Sequence, residues 1–220
     1  MADAMDHGQL MDQTYRYQRL IYDLTRKYYL LGRDHLITQM NAQPGARVLE
    51  VACGTGRNLA MIRRSYPDAA LYGFDISDQM LTTARTKLDQ DVALARADAC
   101  VFDPYTLFEV DGFDHIVLSY SLSMIPDWQA ALAQAKRHLA PGGQLHVVDF
   151  GDGSGLPPWF RRGLLAWLAR FHVTPRQSLP KALQALAQEG GQTTVQGMYR
   201  NYALYGRHTR PGPNQSCTNP

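Results

Sequence analysis

One stretch most limits what this chain can fold into: Val48-Leu49-Glu50-Val51-Ala52-Cys53-Gly54-Thr55-Gly56-Arg57-Asn58. It reads as a buried strand, a tight glycine turn and the start of a helix. An acidic residue, Asp75, follows about twenty residues later at the end of a second apolar run, the spacing at which a nucleoside-binding α/β unit carries its ribose acceptor. Glycines let a ligand approach the backbone, and the acid takes hydroxyls. A dinucleotide fingerprint needs a third glycine three positions beyond the second. Leu59 stands there instead. The plain alternative is a strand–turn–helix with tightly packed glycines.

The alternation continues. Strands are predicted at Arg47–Ala52, Ala70–Asp75, Val92–Ala97, Phe113–Ser119 and Gln144–Phe150. Helices are predicted at Asn58–Ser65, stopped by Pro67, at Asp78–Leu88, capped by Ser77, and at Asp127–Leu139, stopped by Pro141-Gly142-Gly143. Such alternation means right-handed crossovers and a parallel sheet with helices on both faces, with ligands at the carboxyl ends of the strands. The last third departs from it. Helices are expected at Pro157–His172 and Leu179–Gln188, and two closing strands at Gln192–Met198 and Arg200–Arg207. Residues 1–208 read as one domain: an N-terminal helical arm (1–44), a ligand-binding core (45–150) and substrate-side elements (151–208). Residues 209–220 read as a polar, disordered tail.

The chain has 220 residues and a net charge of only +2, unevenly spread. Residues 1–35 balance, residues 36–155 carry −5 and residues 156–220 carry +7. A basic final third suits an anionic surface; an ordinary solvated face is the alternative. Cys53, Cys100 and Cys217 lack metal-ligand spacing, so reduced thiols and no metal are expected. A polar start and no apolar run near ~20 residues predict a cytoplasmic protein whose membrane contact, if any, is peripheral.

The first turn resembles the leading motif of class I S-adenosylmethionine-dependent methyltransferases, E-x-G-x-G-x-G, written here Glu50-x-Ala52-x-Gly54-x-Gly56. Ala52 stands where that family has its first glycine. The resemblance covers residues 46–150. It implies a three-layer Rossmann-like methyltransferase fold with a mostly parallel sheet of seven strands in the order 3-2-1-4-5-7-6. It also implies S-adenosyl-L-methionine as cofactor, leaving as S-adenosyl-L-homocysteine. Arg33, Glu50, Ala52, Gly54, Gly56, Asn58, Asp75, Ile76, Met80, Asp98, Ala99, Ser119 and Tyr120 are the residues expected to hold it. Asp75 suits the ribose, Ile76 and Met80 the adenine ring, and Asp98 its amino group. Glu50 suits the cationic end.

The arm before the first strand, Tyr15 to Asp34, holds five tyrosines and five cations. Leu20, Leu24, Tyr28 and Leu31 could form a core stripe; the aromatic rings also suit a sulfonium or an ammonium product. Tyr-Arg-x-Gln-Arg-x-Ile-Tyr-Asp-Leu-Thr-Arg-Lys-Tyr-Tyr-Leu-Leu-Gly-Arg-Asp resembles the arm of bacterial betaine-lipid N-methyltransferases. The likeness runs on through Gly54–Leu59, Ser119–Pro126 and Tyr199–Arg207. It implies three methyl transfers to the amine of diacylglycerylhomoserine at a membrane surface, near the enzyme that makes that lipid. Tyr22, Tyr28, Tyr120 and Asp149 are candidate proton acceptors; His115 and His146 read as core histidines. Arg19, Arg26 and Arg200 are candidates for the homoserine carboxylate, as is Arg33 if it does not hold the cofactor. On Pro157–His172, Phe160, Leu164, Trp167, Leu168 and Phe171 share a face, with Arg162 and Arg170 opposite. That face would meet an anionic bilayer, or pack on the sheet. A lipid N-methyltransferase of phosphatidylethanolamine type and a quinone C-methyltransferase are the other activities considered, and a non-catalytic cofactor-binding protein a third; no nucleic acid is expected.

Overall fold

The computed structural model describes residues 30–212. Seven strands form one sheet: β1 (Arg47–Val51), β2 (Ala70–Asp75), β3 (Ala93–Arg96), β4 (Phe113–Ser119), β5 (Leu139–Phe150), β6 (Gln192–Met198) and β7 (Ala203–Thr209). Their order is β3-β2-β1-β4-β5-β7-β6. The first five neighbours are parallel, and β7 runs antiparallel to both β5 and β6. The helices are α1 (Arg33–Met40), α2 (Arg57–Ser65), α3 (Asp78–Lys87), α4 (Pro104–Phe108), α5 (Trp128–Arg137), α6 (Pro158–Ala169) and α7 (Leu179–Leu186).

The central strands have no solvated side. Val48, Leu49 and Val51 of β1 and Ile116, Val117 and Leu118 of β4 are wholly buried. Helices therefore cover both faces, as a parallel sheet demands. One core cluster joins Leu36, Ile37 and Met40 of α1, Leu59 and Ile62 of α2 and Leu168 of α6. The other joins Trp128, Leu132 and Ala135 of α5 to Leu179, Leu183 and Leu186 of α7, which recur at helical spacing. Gly73 lets α2 approach β2: a methyl group there would sit 2.7 Å from Leu59 Cδ1.

Three expectations are corrected. Pro141-Gly142-Gly143 does not stop α5, which ends at Arg137. It lies within β5, where the register jumps from Phe113↔Leu139 to His115↔Gln144. Residues 140–143 loop out as a bulge. The final strand begins at Ala203, because Tyr199, Arg200 and Asn201 all take left-handed φ angles of 53–60°. Thr209 belongs to β7, and the Arg210 N–H donates to Gly143 O, so the start of the expected tail is pinned to the bulge. Residues 1–29 and 213–220 lie outside the described residues.

His115 and His146 are core histidines, at 8% and 0% exposure. Their ring nitrogens approach to 3.3 Å, and His146 Nδ1 lies 3.0 Å from the Tyr205 hydroxyl. Burial lowers both imidazoles' pKa, His146 the more strongly. A neutral imidazole with its nitrogens paired is the stable state here. Tyr205→Phe, which strands His146 Nδ1, should cost about 1–2 kcal/mol in urea denaturation.

Candidate functional site

The carboxyl ends of β1, β2 and β4 open on a cavity of about 400 Å³. The glycine turn forms its floor. Ala52, Gly54 and Gly56 take φ angles of 54°, 56° and 75°, so three alternate residues sit in the left-handed region. Glycine accepts that conformation without strain; alanine does not. Ala52 is thus a strained residue in a position suited to glycine. Gly56 has a second constraint. It caps α2, and a methyl group on it would lie 2.6 Å from Leu88 Cδ1.

Asp75 holds the turn closed. Its Oδ2 accepts the Gly54 N–H at 2.8 Å and its Oδ1 accepts the Ser77 N–H at 2.9 Å. Ser77 in turn caps α3, its hydroxyl accepting from Met80 N. A carboxylate oxygen has room for more than one donor. Asp75 therefore fixes the loop and still faces the cavity. Asp98 Oδ1 similarly accepts the Cys100 N–H at 2.9 Å while Asp98 lines the wall.

Glu50 lies on the floor at 2% exposure. Its Oε1 accepts the Asn58 side-chain amide at 2.6 Å. Burial pushes its carboxyl up to about 7, moderated by that hydrogen bond and by Arg33. Glu50 Oε2 and Asn58 Oδ1 are both buried acceptors with no donor. Buried acceptors are costly to leave unmet. A ligand ammonium would satisfy both, and the α-amino group of S-adenosylmethionine is such a donor. Arg33 lines the same cavity with its guanidinium 5.7 Å from the centre of the Tyr120 ring.

Of the residues expected at the cofactor, Arg33, Glu50, Ala52, Gly54, Asn58, Asp75, Ile76, Met80, Asp98, Ala99, Ser119 and Tyr120 all line the cavity. Gly56 instead shapes the turn from behind. The loop after β4 contributes more than Ser119 and Tyr120. Ser121, Met124, Ile125, Pro126 and Asp127 also face the cavity. Ser121 to Pro126 fall within the Ser119–Pro126 likeness, of which only Ser119 and Tyr120 are expected at the cofactor. Asp127 is expected as the first helical residue, and it caps α5.

The proton-acceptor candidates fare differently. The Tyr120 hydroxyl donates to Leu31 O, and burial raises its pKa well above the ordinary range. Tyr120 lines the cavity with its ring beneath the Arg33 guanidinium. Asp149, at 1% exposure, does not line the cavity. Its oxygens accept the Ser123 and Phe150 N–H groups at 3.0 and 2.7 Å, and burial raises it to about 6. It anchors the loop after β4. Arg200 is exposed on the β6–β7 turn, away from the cavity wall. Tyr22, Tyr28, Arg19 and Arg26 lie outside the described residues.

Replacing Ala52 with glycine should stabilise the fold by about 1 kcal/mol, read as a raised midpoint of thermal unfolding, since alanine at positive φ costs at least the usual entropic advantage. Glu50 gives binding a pH dependence. Its carboxylate attracts an ammonium, and its charge is lost as pH falls through about 7. Calorimetric affinity for S-adenosylmethionine should weaken about tenfold from about pH 8 to about pH 6. Glu50→Gln should flatten that slope.

The comparisons agree with this geometry. Residues 49–145 match the methyltransferase domain family. Demethylmenaquinone methyltransferase of Listeria welshimeri is 28% identical over 148 residues, covering 65% of this chain and 61% of that protein. Its Staphylococcus aureus counterpart is 28% identical over 137 residues, covering 61% and 55%. The chain thus spans about 60% of the length of these relatives. Among solved structures, Haemonchus contortus phosphoethanolamine N-methyltransferase 2 with bound S-adenosyl-L-methionine superposes at a TM-score of 0.70, with 16% identity over 91% of this chain and 59% of that one. The plantazolicin methyltransferase with bound SAH gives 0.68, at 14% identity over 96% and 98%. These likenesses show the fold. Residues 49–145 thus match a methyltransferase domain, and the chain shares its fold with methyltransferases solved with bound S-adenosyl-L-methionine or SAH.

Proposed function

We propose that this chain methylates the amine of diacylglycerylhomoserine in three steps, giving the trimethylated betaine lipid. S-adenosylmethionine, when bound, supplies an electrophilic methyl group on a sulfonium. Four carboxylates, on Glu50, Asp75, Asp98 and Asp127, face two guanidiniums, on Arg33 and Arg57, across the cavity. This charge balance is the observation that carries the reading. N-methylation turns a sulfonium and a neutral amine into a thioether and an ammonium, so the positive charge is kept. An acid-rich cavity favours a bound cation before and after the transfer. Ring methylation at carbon leaves no cation on its product.

The chain's work is to position. Asp75 and Asp98 can orient the nucleoside, Glu50 and Asn58 the amino-acid end, and Ser119 and Ser121 offer buried hydroxyls that have no partner. Alignment of this sort is worth up to ~7–11 kcal/mol in well-oriented systems. Each attacking nitrogen must be neutral, so one proton leaves before each transfer, three in all for the full sequence. Asp149 accepts two backbone amides and the Tyr120 hydroxyl donates to Leu31 O, so in this reading the protons pass to solvent.

The resemblance of the arm to betaine-lipid enzymes supports this acceptor. A reaction that builds diacylglycerylhomoserine must supply it, and contact with the enzyme performing that reaction is part of the proposal. The amphiphilic acceptor also places the chain at a membrane surface. No described helix is long and apolar enough to cross one. The curated relatives favour a second reading, methylation of a demethylated quinone.

An assay with labelled methyl donor against diacylglycerylhomoserine, phosphatidylethanolamine and demethylmenaquinone separates these. Label is expected in the homoserine lipid, with mono-, di- and trimethyl products resolved by mass. Label confined to the quinone would establish the second reading instead.

A further inference from the structure

The face of α6 expected to be apolar is the one that packs inward. Leu168 is buried, and Leu164, Trp167 and Phe171 pack against the core. The opposite face is exposed and is not simply polar. It carries Trp159 at 70% exposure and Leu165 at 40%; Phe160, at the first turn of the inward face, is also exposed at 41%. Arg162 and Arg170 stand exposed among them. Trp159 and Phe160 meet edge to face, 5.8 Å between ring centres. The loop leading into α6 is tied to the β6–β7 turn by Asn201 Nδ2 donating to Ser154 Oγ at 2.7 Å. That turn adds Tyr199, 54% exposed, and Arg200. Single exposed hydrophobes need no explanation; a set this size does.

We propose that this outer face of α6, with the Tyr199–Arg200 turn, seats on an anionic lipid bilayer. Charge selects the occupant. The face and its adjoining turn expose three guanidiniums, on Arg162, Arg170 and Arg200. A second copy would bring the same Arg162 and Arg170 against each other. Residues 1–29 hold four cations and four acids and offer no net complement. An anionic membrane offers both an apolar boundary for the rings and negative charge for the guanidiniums.

Position gives the contact a purpose. α6 follows the carboxyl end of β5, on the same rim of the sheet as Asp75 and Ser119. Phe171 packs with Met80 and Met124, which line the cavity. Just beyond, the Thr174 N–H donates to Ser123 O at 2.9 Å, and Arg176 donates to Leu122 O and Ile125 O at 3.0 and 2.7 Å. A bilayer under α6 therefore lies beside the cavity wall, where a lipid acceptor must enter. That use rests on the proposed lipid substrate; the contact itself is measured without turnover.

The test is flotation of the full chain with vesicles of phosphatidylcholine alone or mixed equally with phosphatidylglycerol, alongside tryptophan emission. The protein should float with the mixed vesicles only, with a blue shift that Trp159→Ser abolishes. Arg162→Glu with Arg170→Glu, and Trp159→Ser with Leu165→Ser, should each weaken vesicle binding about tenfold or more. Both pairs should keep calorimetric binding of S-adenosylhomocysteine, which shows that they fold. Wild-type protein that stays below the gradient overturns the proposal. So do variants that float undiminished, which would place the contact elsewhere. A wild-type dimer in sedimentation velocity that these variants dissolve would make the face a self-interface and overturn it too. Loss of methyl transfer with flotation intact would sink the substrate reading and leave this one standing.

Discussion

The Asp75 carboxylate is the interaction on which the site depends. It joins the end of β2 to two separate loops, taking one amide from the glycine turn and one from the start of α3. Without it, three left-handed residues in five would have to hold their shape unaided. Left-handed backbone persists only where its surroundings over-determine it. Asp75 supplies part of that, and the close packing of Gly56 on Leu88 and Ala84 supplies more. Loop geometry and ligand recognition thus run through one side chain. Any change at this residue alters the shape of the cradle as well as the groups it offers.

Asp149 plays the matching part on the other side of the cavity. It is buried at the end of β5 and accepts from Ser123, across to the loop that follows β4. Arg176 grips the same loop from outside through two carbonyls. The loop holds Ser121, Met124 and Ile125 on the cavity wall. Long-range partners hold it in addition to its own turn, where the Met124 and Ile125 N–H groups donate to Ser121 O. Its stability, and the shape of the site, are therefore linked to β5 and to the strap after α6.

These two carboxylates show what the sequence can and cannot disclose. Asp75 was legible because the fold puts the acid at a set distance from the glycine turn, within one βαβ unit. The strands were legible for a similar local reason: continuous apolar runs such as Ile116–Leu118 suit only a strand buried on both faces. Asp149 sits at a strand end like Asp75, but its partner is Ser123, 26 residues away. No local pattern reveals that its oxygens are already taken. The packed face of α6 was legible from helical spacing, and of the two uses expected for it the structure shows packing. The apolar residues on its other side, Trp159 and Leu165, form no such pattern. The five-residue α4 and the bulge at Pro141-Gly142-Gly143 were missed because each is shorter than the patterns that reveal helices and strands. Ala52 was visible as a departure, yet its cost lies in a backbone angle that sequence does not print.

Glu50 extends this reasoning to electrostatics. A carboxylate this deeply buried loses most of its hydration, and one hydrogen bond from Asn58 does not restore it. Its pKa near 7 records that deficit. The deficit is also a form of selectivity. A neutral donor could meet an unpaired acceptor here, but only a cation also offsets the carboxylate's charge. Either protonation of Glu50 or a cationic ligand relieves the cost of burying that charge. The ligand therefore contributes part of the compensation that the fold withholds from its own floor. That constraint operates at the donor end of the cavity, whichever acceptor enters at the other.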